Sequence, residues 1–184
     1  MDKLKAKLEQ IIDFDLRDVN TIWNDEEINK IEEKYNIKFP NDYKYYLKNY
    51  GNDYIKEDYR LSPPVEIEQI QNISQFEIDS LYGLNNDENN LENKIFSYKE
   101  ILPDNFIPIA DLPGGDLICM GEEYKIYIWF HDIEGENIFL VSNSFKEFIF
   151  NINRIKNEES NINNVKLNLG NKLNAFLNKA SNKK

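Results

Sequence analysis

Between Phe106 and Ser142 four short apolar runs follow one another: Phe106–Ala110, Leu117–Gly121, Lys125–His131 and Ile138–Ser142. Only turn formers separate them, namely Pro113-Gly114-Gly115-Asp116, Gly121-Glu122-Glu123 and Glu134-Gly135-Glu136-Asn137. Parallel neighbours need a crossover of about a dozen residues or more, and none of these links is long enough. The runs can therefore pair only as antiparallel hairpins, and the rest of the chain must be arranged around that meander.

The segments flanking the meander have helical spacing. Leu4, Leu8, Ile11 and Ile12 predict an amphipathic helix over 3–14. Asn24 followed by Glu27 is a variant of the capping box, Asp25, Glu26 and Glu27 suit a helix N-terminus, and Ile28 and Ile31 form the apolar face of a helix ending near Tyr35. Phe39-Pro40-Asn41-Asp42 starts another helix, with Asn41 as its cap, Tyr43, Tyr46, Leu47 and Tyr50 on one side, and Gly51 as a left-handed terminator. Phe76, Ile78 and Tyr82 read as a strand in which Ser80 is a weak inward position, and Ile67 begins one before it. Asn85–Asn93 is polar, and Leu91, Ile95 and Tyr98 allow a short helix after it. Ser144 caps a helix, Glu147 completes its box, and Phe145, Phe148, Ile149, Ile152 and Ile155 form its stripe. A polar linker at 157–164 leads to a last amphipathic helix carrying Val165, Leu169, Leu173, Phe176, Leu177 and Ala180. The fold class is α+β: N-terminal helices, an antiparallel or mixed sheet of about five or six strands, and C-terminal helices. Residues 1–156 form the domain, and 157–184 an appended linker and basic helix. The helices are expected to cover one face of the sheet.

The chain has 22 basic and 33 acidic side chains and a formal charge of −11. From Asn151 onward seven residues are basic and two acidic, so the body is more acidic than the whole. An acidic body is a poor nucleic-acid binder, because cations must displace the phosphate counterions. The single cysteine excludes an internal disulfide, and one cysteine with one histidine cannot make a Cys/His zinc site. Charges interrupt the first apolar stretch, MDKLKAKLEQIIDFD, and no run is long enough to span a bilayer, so a cytoplasmic protein with no membrane partner is expected.

Several of these signals fall in a shared order. Trp23 precedes a helix with Ile28, Ile31 and Glu32. Phe39-Pro40-x-Asp42-Tyr43-x-x-Tyr46-Leu47-x-x-x-Gly51 comes next, followed by Leu81-Tyr82-Gly83, Phe106-Ile107-Pro108-Ile109-Ala110 and Gly115-Asp116-Leu117-Ile118-Cys119. Ile126-Tyr127-Ile128-Trp129-Phe130-His131-Asp132 and Ser142-Asn143-Ser144-Phe145-x-x-Phe148 close the set. Over roughly residues 20–155 this order resembles the SUKH superfamily, the group containing the yeast cell-wall assembly regulator domain and many bacterial immunity proteins. The resemblance implies a binding protein rather than an enzyme. The bacterial branch would bind and silence a polymorphic or contact-dependent toxin, often one directed at nucleic acids.

An acidic body suits that role, since a carboxylate-rich face can occupy the cationic cleft of a nuclease and opposite charge speeds encounter. The candidate partner-binding residues are Asp53, Glu57, Asp58, Asp116, Glu122, Glu123 and Asp132, with Tyr54 and Tyr59 as aromatic anchors. As a set they require their loops to gather at one end of the sheet. Gly114-Gly115-Asp116 matches no phosphate-binding motif and reads as a hairpin turn. Cys119, Trp23 and Trp129 read as core residues, although Trp23 also suits a surface groove. Glu122-Glu123 lacks the ligand spacing of a calcium loop, so no metal and no cofactor are expected.

Three functions are compatible with these features. The first is an immunity protein against a toxin with a basic catalytic domain. The second is a regulatory or scaffolding module for an endogenous protein. The third is a carboxylate-based hydrolase using His131 and Asp132, for which no nucleophile stands in a recognisable frame. The sequence leaves the oligomeric state open.

Overall fold

In the computed structural model, residues 1–16, 24–51, 53–63, 74–84 and 90–155 are described. Trp23, Ile67, the linker at 157–164 and the helix expected after it lie outside the described residues. The chain divides into two compact units, Met1–Arg154 and Ile155–Lys184, and every described helix and strand belongs to the first.

Helix α1 (Asp2–Ile11) forms where Leu4, Leu8 and Ile11 recur at steps of four and three, and all three are buried. Helix α2 (Asp25–Tyr35) has the full box: the Asn24 side-chain oxygen accepts from the Glu26 and Glu27 amides at 2.9 and 3.1 Å, and Glu27 accepts from the Asn24 amide at 3.0 Å. Helix α3 (Asn41–Asn49) departs from expectation at both ends. Pro40 holds the cap position, so Asn41 is already the first helical residue and no side chain caps the helix. Gly51 is not a left-handed terminator. Tyr50 leaves the helix extended (φ −130°, ψ 164°), and its ring stacks on Tyr46 at 5.8 Å. The Gly51 amide then donates to Asp53 Oδ2 at 3.0 Å, and its carbonyl accepts from the Tyr46 hydroxyl at 2.6 Å.

The main sheet runs β1 (Asp53–Tyr54), β3 (Ser80–Leu81), β4 (Ile107–Asp111), β5 (Leu117–Met120), β6 (Ile126–Trp129) and β7 (Ile138–Ser142), with every pairing antiparallel. Its last four strands are the four apolar runs. A second, two-stranded sheet pairs β2 (Tyr59–Leu61) with β8 (Ile152–Arg154). The strand around Phe76–Tyr82 is shorter than expected: Phe76 bridges Leu61, and Ser80–Leu81 form the strand of the main sheet, with the flanking Asp79 and Tyr82 amides donating to the carbonyls of Asp111 and Ile109. Ser80 is nonetheless buried, because its hydroxyl donates to Asp111 Oδ1 at 2.7 Å.

All four residues of β5 are buried, so both faces of the sheet are covered. Helices α1, α3 and α5 (Phe145–Asn151) pack together in one layer. Helix α4 (Leu91–Tyr98) packs separately on β4, with Tyr98 6.0 Å from the Trp129 ring and Lys94 Nζ 5.1 Å from the Tyr82 ring. The expectation of one covered face is thereby corrected. At α5, Ser144 accepts from the Glu147 amide, but the Glu147 carboxylate reaches back to Asn143 N at 2.9 Å instead of closing the box. The helix stops at Asn151, so Ile152 is buried as a strand residue and Ile155 is exposed, outside the expected stripe. Cys119 and Trp129 are core residues.

A carboxylate holds the α2–α3 corner. Glu32 is 1% exposed. It accepts from the Phe39 amide at 2.7 Å and pairs with Lys44 at 2.8 Å and Lys38 at 3.1 Å. Burial alone would raise its pKa, but these hydrogen bonds outweigh burial and hold the carboxyl below the usual glutamate range. A lowered carboxylate pKa stabilises the fold above the ordinary value, and that contribution is lost as pH falls through the lowered one. Glu32→Gln is therefore expected to lower unfolding stability by about 1–3 kcal/mol at pH 7. The deficit should shrink below about pH 4, as measured by denaturant unfolding across pH. The β5–β6 turn carries the opposite opportunity. Glu123 and Tyr124 both have left-handed backbones (φ 53° and 59°), which a side chain disfavours. Tyr124 is half-exposed, so Tyr124→Asn is expected to raise stability by about 0.5–1 kcal/mol in the same assay.

Candidate functional site

Successive turns of an antiparallel meander leave opposite ends of the sheet. Register places Tyr54, Ser80, Asp111, Leu117, Trp129 and Ile138 in one row across it. The β4–β5 turn with Asp116, the β6–β7 turn with Asp132, and the chain after Tyr54 with Glu57 all emerge beyond that row. Glu122 and Glu123 belong to the β5–β6 turn and stand at the far end, so the expected gathering of all these loops does not occur. Two more expected contact residues are interior. Asp53 is 1% exposed and accepts from the Gly51 amide, and Tyr59 is 7% exposed within β2, so neither side chain can face a partner. Asp58 is turned to Arg154 Nε at 2.6 Å.

At the shared end lies a cleft of about 350 Å³. Asp13, Glu57, Glu77, Asp79 and Asp111 line it, with Leu16, Tyr54, Ile55, Ile78 and Ser80. Leu16 and Tyr54 are exposed apolar surfaces at 62% and 44%. Arg60 pairs with Glu77 at 2.9 Å, and Asp111 is engaged by the Ser80 amide and hydroxyl. Asp79 has a raised pKa, because partial burial is reinforced by the charges of Asp111 and Glu77. Carboxylates so crowded are stabilised by an incoming cation. Of the cleft residues, sequence reasoning named Tyr54 and Glu57. It missed Asp13, Glu77, Asp79 and Asp111, although Asp111 is legible as the residue that leads into the same turn as Asp116.

At the same end of the sheet, two turns are tied together. Asp116 Oδ1 accepts from the His131 amide at 3.1 Å and stands 2.9 Å from His131 Nδ1. The carboxylate partner of the imidazole is thus Asp116, not its neighbour Asp132. Asp116, His131 and Asp132 bring ligand atoms within 4.8 Å of one another, and they are the residues that could hold a metal ion among those described. Cys119 offers no nucleophile, since it is fully buried and burial pushes its thiol pKa far up. At the far end, a second cavity of about 430 Å³ lies between Asn36–Lys38, Asn105 and the turn of Glu122–Tyr124. Among the described residues no helix is long and apolar enough to cross a membrane.

A six-stranded antiparallel sheet layered with helices, one end of which gathers carboxylates and exposed aromatic surface, defines an α+β module with a surface suited to protein contact. Residues 23–151 match the SMI1 / KNR4 family (SUKH-1), and the chain belongs to that family. The family includes immunity proteins, and its domains are generally non-enzymatic immunity or regulatory modules. The chain is also similar to the SPbeta prophage-derived uncharacterized protein YokK of Bacillus subtilis (strain 168), with 30% identity over 164 residues, covering 82% of this chain and 84% of that protein.

The hydrogen bond to Asp116 raises the pKa of His131, partial burial opposes this, and the charges of Asp116 and Asp132 add to the rise. A raised histidine pKa stabilises the pairing of the two turns below the ordinary value, and the contribution disappears as pH climbs through the raised one. An NMR titration is expected to show His131 titrating above about 6.5, and Asp116→Asn to bring it back toward that value.

Proposed function

We propose that the chain is an immunity protein: it binds the catalytic domain of a cognate secreted toxin, one directed at nucleic acids, and blocks its active site with the acidic end of the sheet. The crowded carboxylates of the cleft carry this reading. A nuclease cleft is cationic because it must hold phosphates, so a concave surface of Glu57, Glu77, Asp79 and Asp111 offers its lysines and arginines an alternative set of anions. Burial and the charges of Asp111 and Glu77 raise the pKa of Asp79, and an arginine or lysine entering the cleft would offset the repulsive part. Tyr54 and Leu16 at the rim supply the apolar contact that a long-lived complex needs. Inhibition in this scheme is occupancy, with no bond made or broken by the immunity protein.

The partner is sought first in the product of the adjacent gene. With that protein immobilised, association is expected to slow at least tenfold between low and physiological salt. Asp79→Lys combined with Glu57→Lys is expected to slow it comparably. Tyr54→Ala is expected to raise the dissociation rate by about tenfold, for a loss near 1–2 kcal/mol. Failure of the pure chain to protect cells from that gene product, together with no binding to it, would overturn the reading.

A further inference from the structure

The two edges of the main sheet are treated differently. β1 has two residues, and the N-terminal segment lies along it: Asp13 N donates to Tyr54 O and Lys56 N to Ile11 O, each at 2.9 Å, and Ile12 bridges Ile55. β7 has five residues and, among the described residues, pairs with β6 alone. Its sequence, Ile138-Phe139-Leu140-Val141-Ser142, contains no charge and no proline, in a chain of which 30% is charged. Helix α5 packs against β7, and Val141 and Ser142 are buried, at 0% and 1% exposed. The first half is open, with Leu140 42% exposed and Ile138 and Phe139 half-buried. Protein edges are normally guarded by shortness, charge, proline or a covering element, because their unpaired amides and carbonyls template another strand. Among the described residues, nothing of that kind guards the first half of β7.

The turn leading into this edge indicates what it fits. Asp132, Glu134 and Glu136 stand within six residues before Ile138, all exposed, and no lysine or arginine pairs with any of them among the described residues. A second copy is a poor occupant, since each copy brings a net charge of −11. We infer that the open half of β7 receives an extended segment of a partner protein as an added antiparallel strand, apolar at alternate positions and ending in lysine or arginine beside the 132–136 turn. Main-chain hydrogen bonds would supply affinity, and Leu140 with the acidic turn would supply selection. This surface is separate from the acidic cleft, and the inference stands whether or not the partner is a toxin.

The test uses the full chain, uniformly labelled with nitrogen-15, and the peptide acetyl-Thr-Val-Thr-Val-Thr-Lys-Lys-amide as probe. Amide shifts confined to 132–142 are expected, with slowed hydrogen exchange on alternate residues of 138–141. A peptide ending in Glu-Glu should bind at least tenfold more weakly. Leu140→Lys, at an exposed position that leaves the circular dichroism unchanged, should weaken the lysine peptide tenfold, whereas Glu57→Lys should not affect it. Three outcomes would overturn the inference. One is no shift at 138–140 at millimolar peptide. Another is shifts centred on Glu57 and Asp79 that survive Leu140→Lys. The third is concentration-dependent shifts of β7 without peptide, which would assign the edge to a second copy. Because Glu57→Lys and Leu140→Lys act on different surfaces, failure here is distinguishable from failure of the toxin-binding reading.

Discussion

Hairpin alternation governs this molecule. A chain that turns back after four or five residues must leave the sheet at alternate ends, and each turn then carries its polar residues to an end it cannot choose. The β4–β5 and β6–β7 turns share an end, and the short β1 and β3 strands bring Glu57, Glu77 and Asp79 to it. The acidic cleft is thus a product of connectivity. No local signal in any one of those segments requires the others to be near. The same rule sends Glu122 and Glu123 away, however acidic their turn.

Buried polar groups then fix that end of the sheet to the helices. Tyr46 on α3 is fully buried, and burial beside Asp53 keeps its hydroxyl protonated. Its hydrogen lies within reach of the carbonyls of Gly51 and Leu81, at 2.6 and 2.9 Å, so one side chain ties the end of α3 to the β1–β3 pair. Glu32 does the corresponding work at the other end of α3, gathering the Phe39 amide and two lysines around one carboxylate. Both are high-stakes interactions, because a buried group deprived of its partner costs more than the bond contributed. Between them they set the position of the edge strand from which Tyr54 projects.

Electrostatics is what the proposed toxin-binding role rests on in this scaffold. Surface charge contributes little to folding stability, and in this cleft burial together with the charges of Asp111 and Glu77 raises the pKa of Asp79. The His131–Asp116 pair locks two turns at the same end of the sheet, and being solvent-exposed it tunes their geometry without holding the fold together.

Much of this was legible in the residues. Period and turn chemistry located the four meander strands, the Asn24 box, helix α4 and the buried Cys119, because those depend on neighbours a few positions apart. Expectations failed where a distant contact overrode the local preference: Tyr50 stacks on Tyr46 and removes the need for a left-handed Gly51, Asp111 makes Ser80 an interior residue, and the pairing of Ile152 with Leu61 ends α5 early. The order of motifs also gave the family without any structure. The identity of the acidic set was different. Charge and composition determined that an acidic surface exists, since −11 must be displayed somewhere. Only the tertiary structure decided which carboxylates share a cleft, that Asp53 and Tyr59 are interior, and that Asp116 rather than Asp132 faces His131. Those facts come from strand register and from what packs over each strand, and register is set by pairings between residues far apart in the chain.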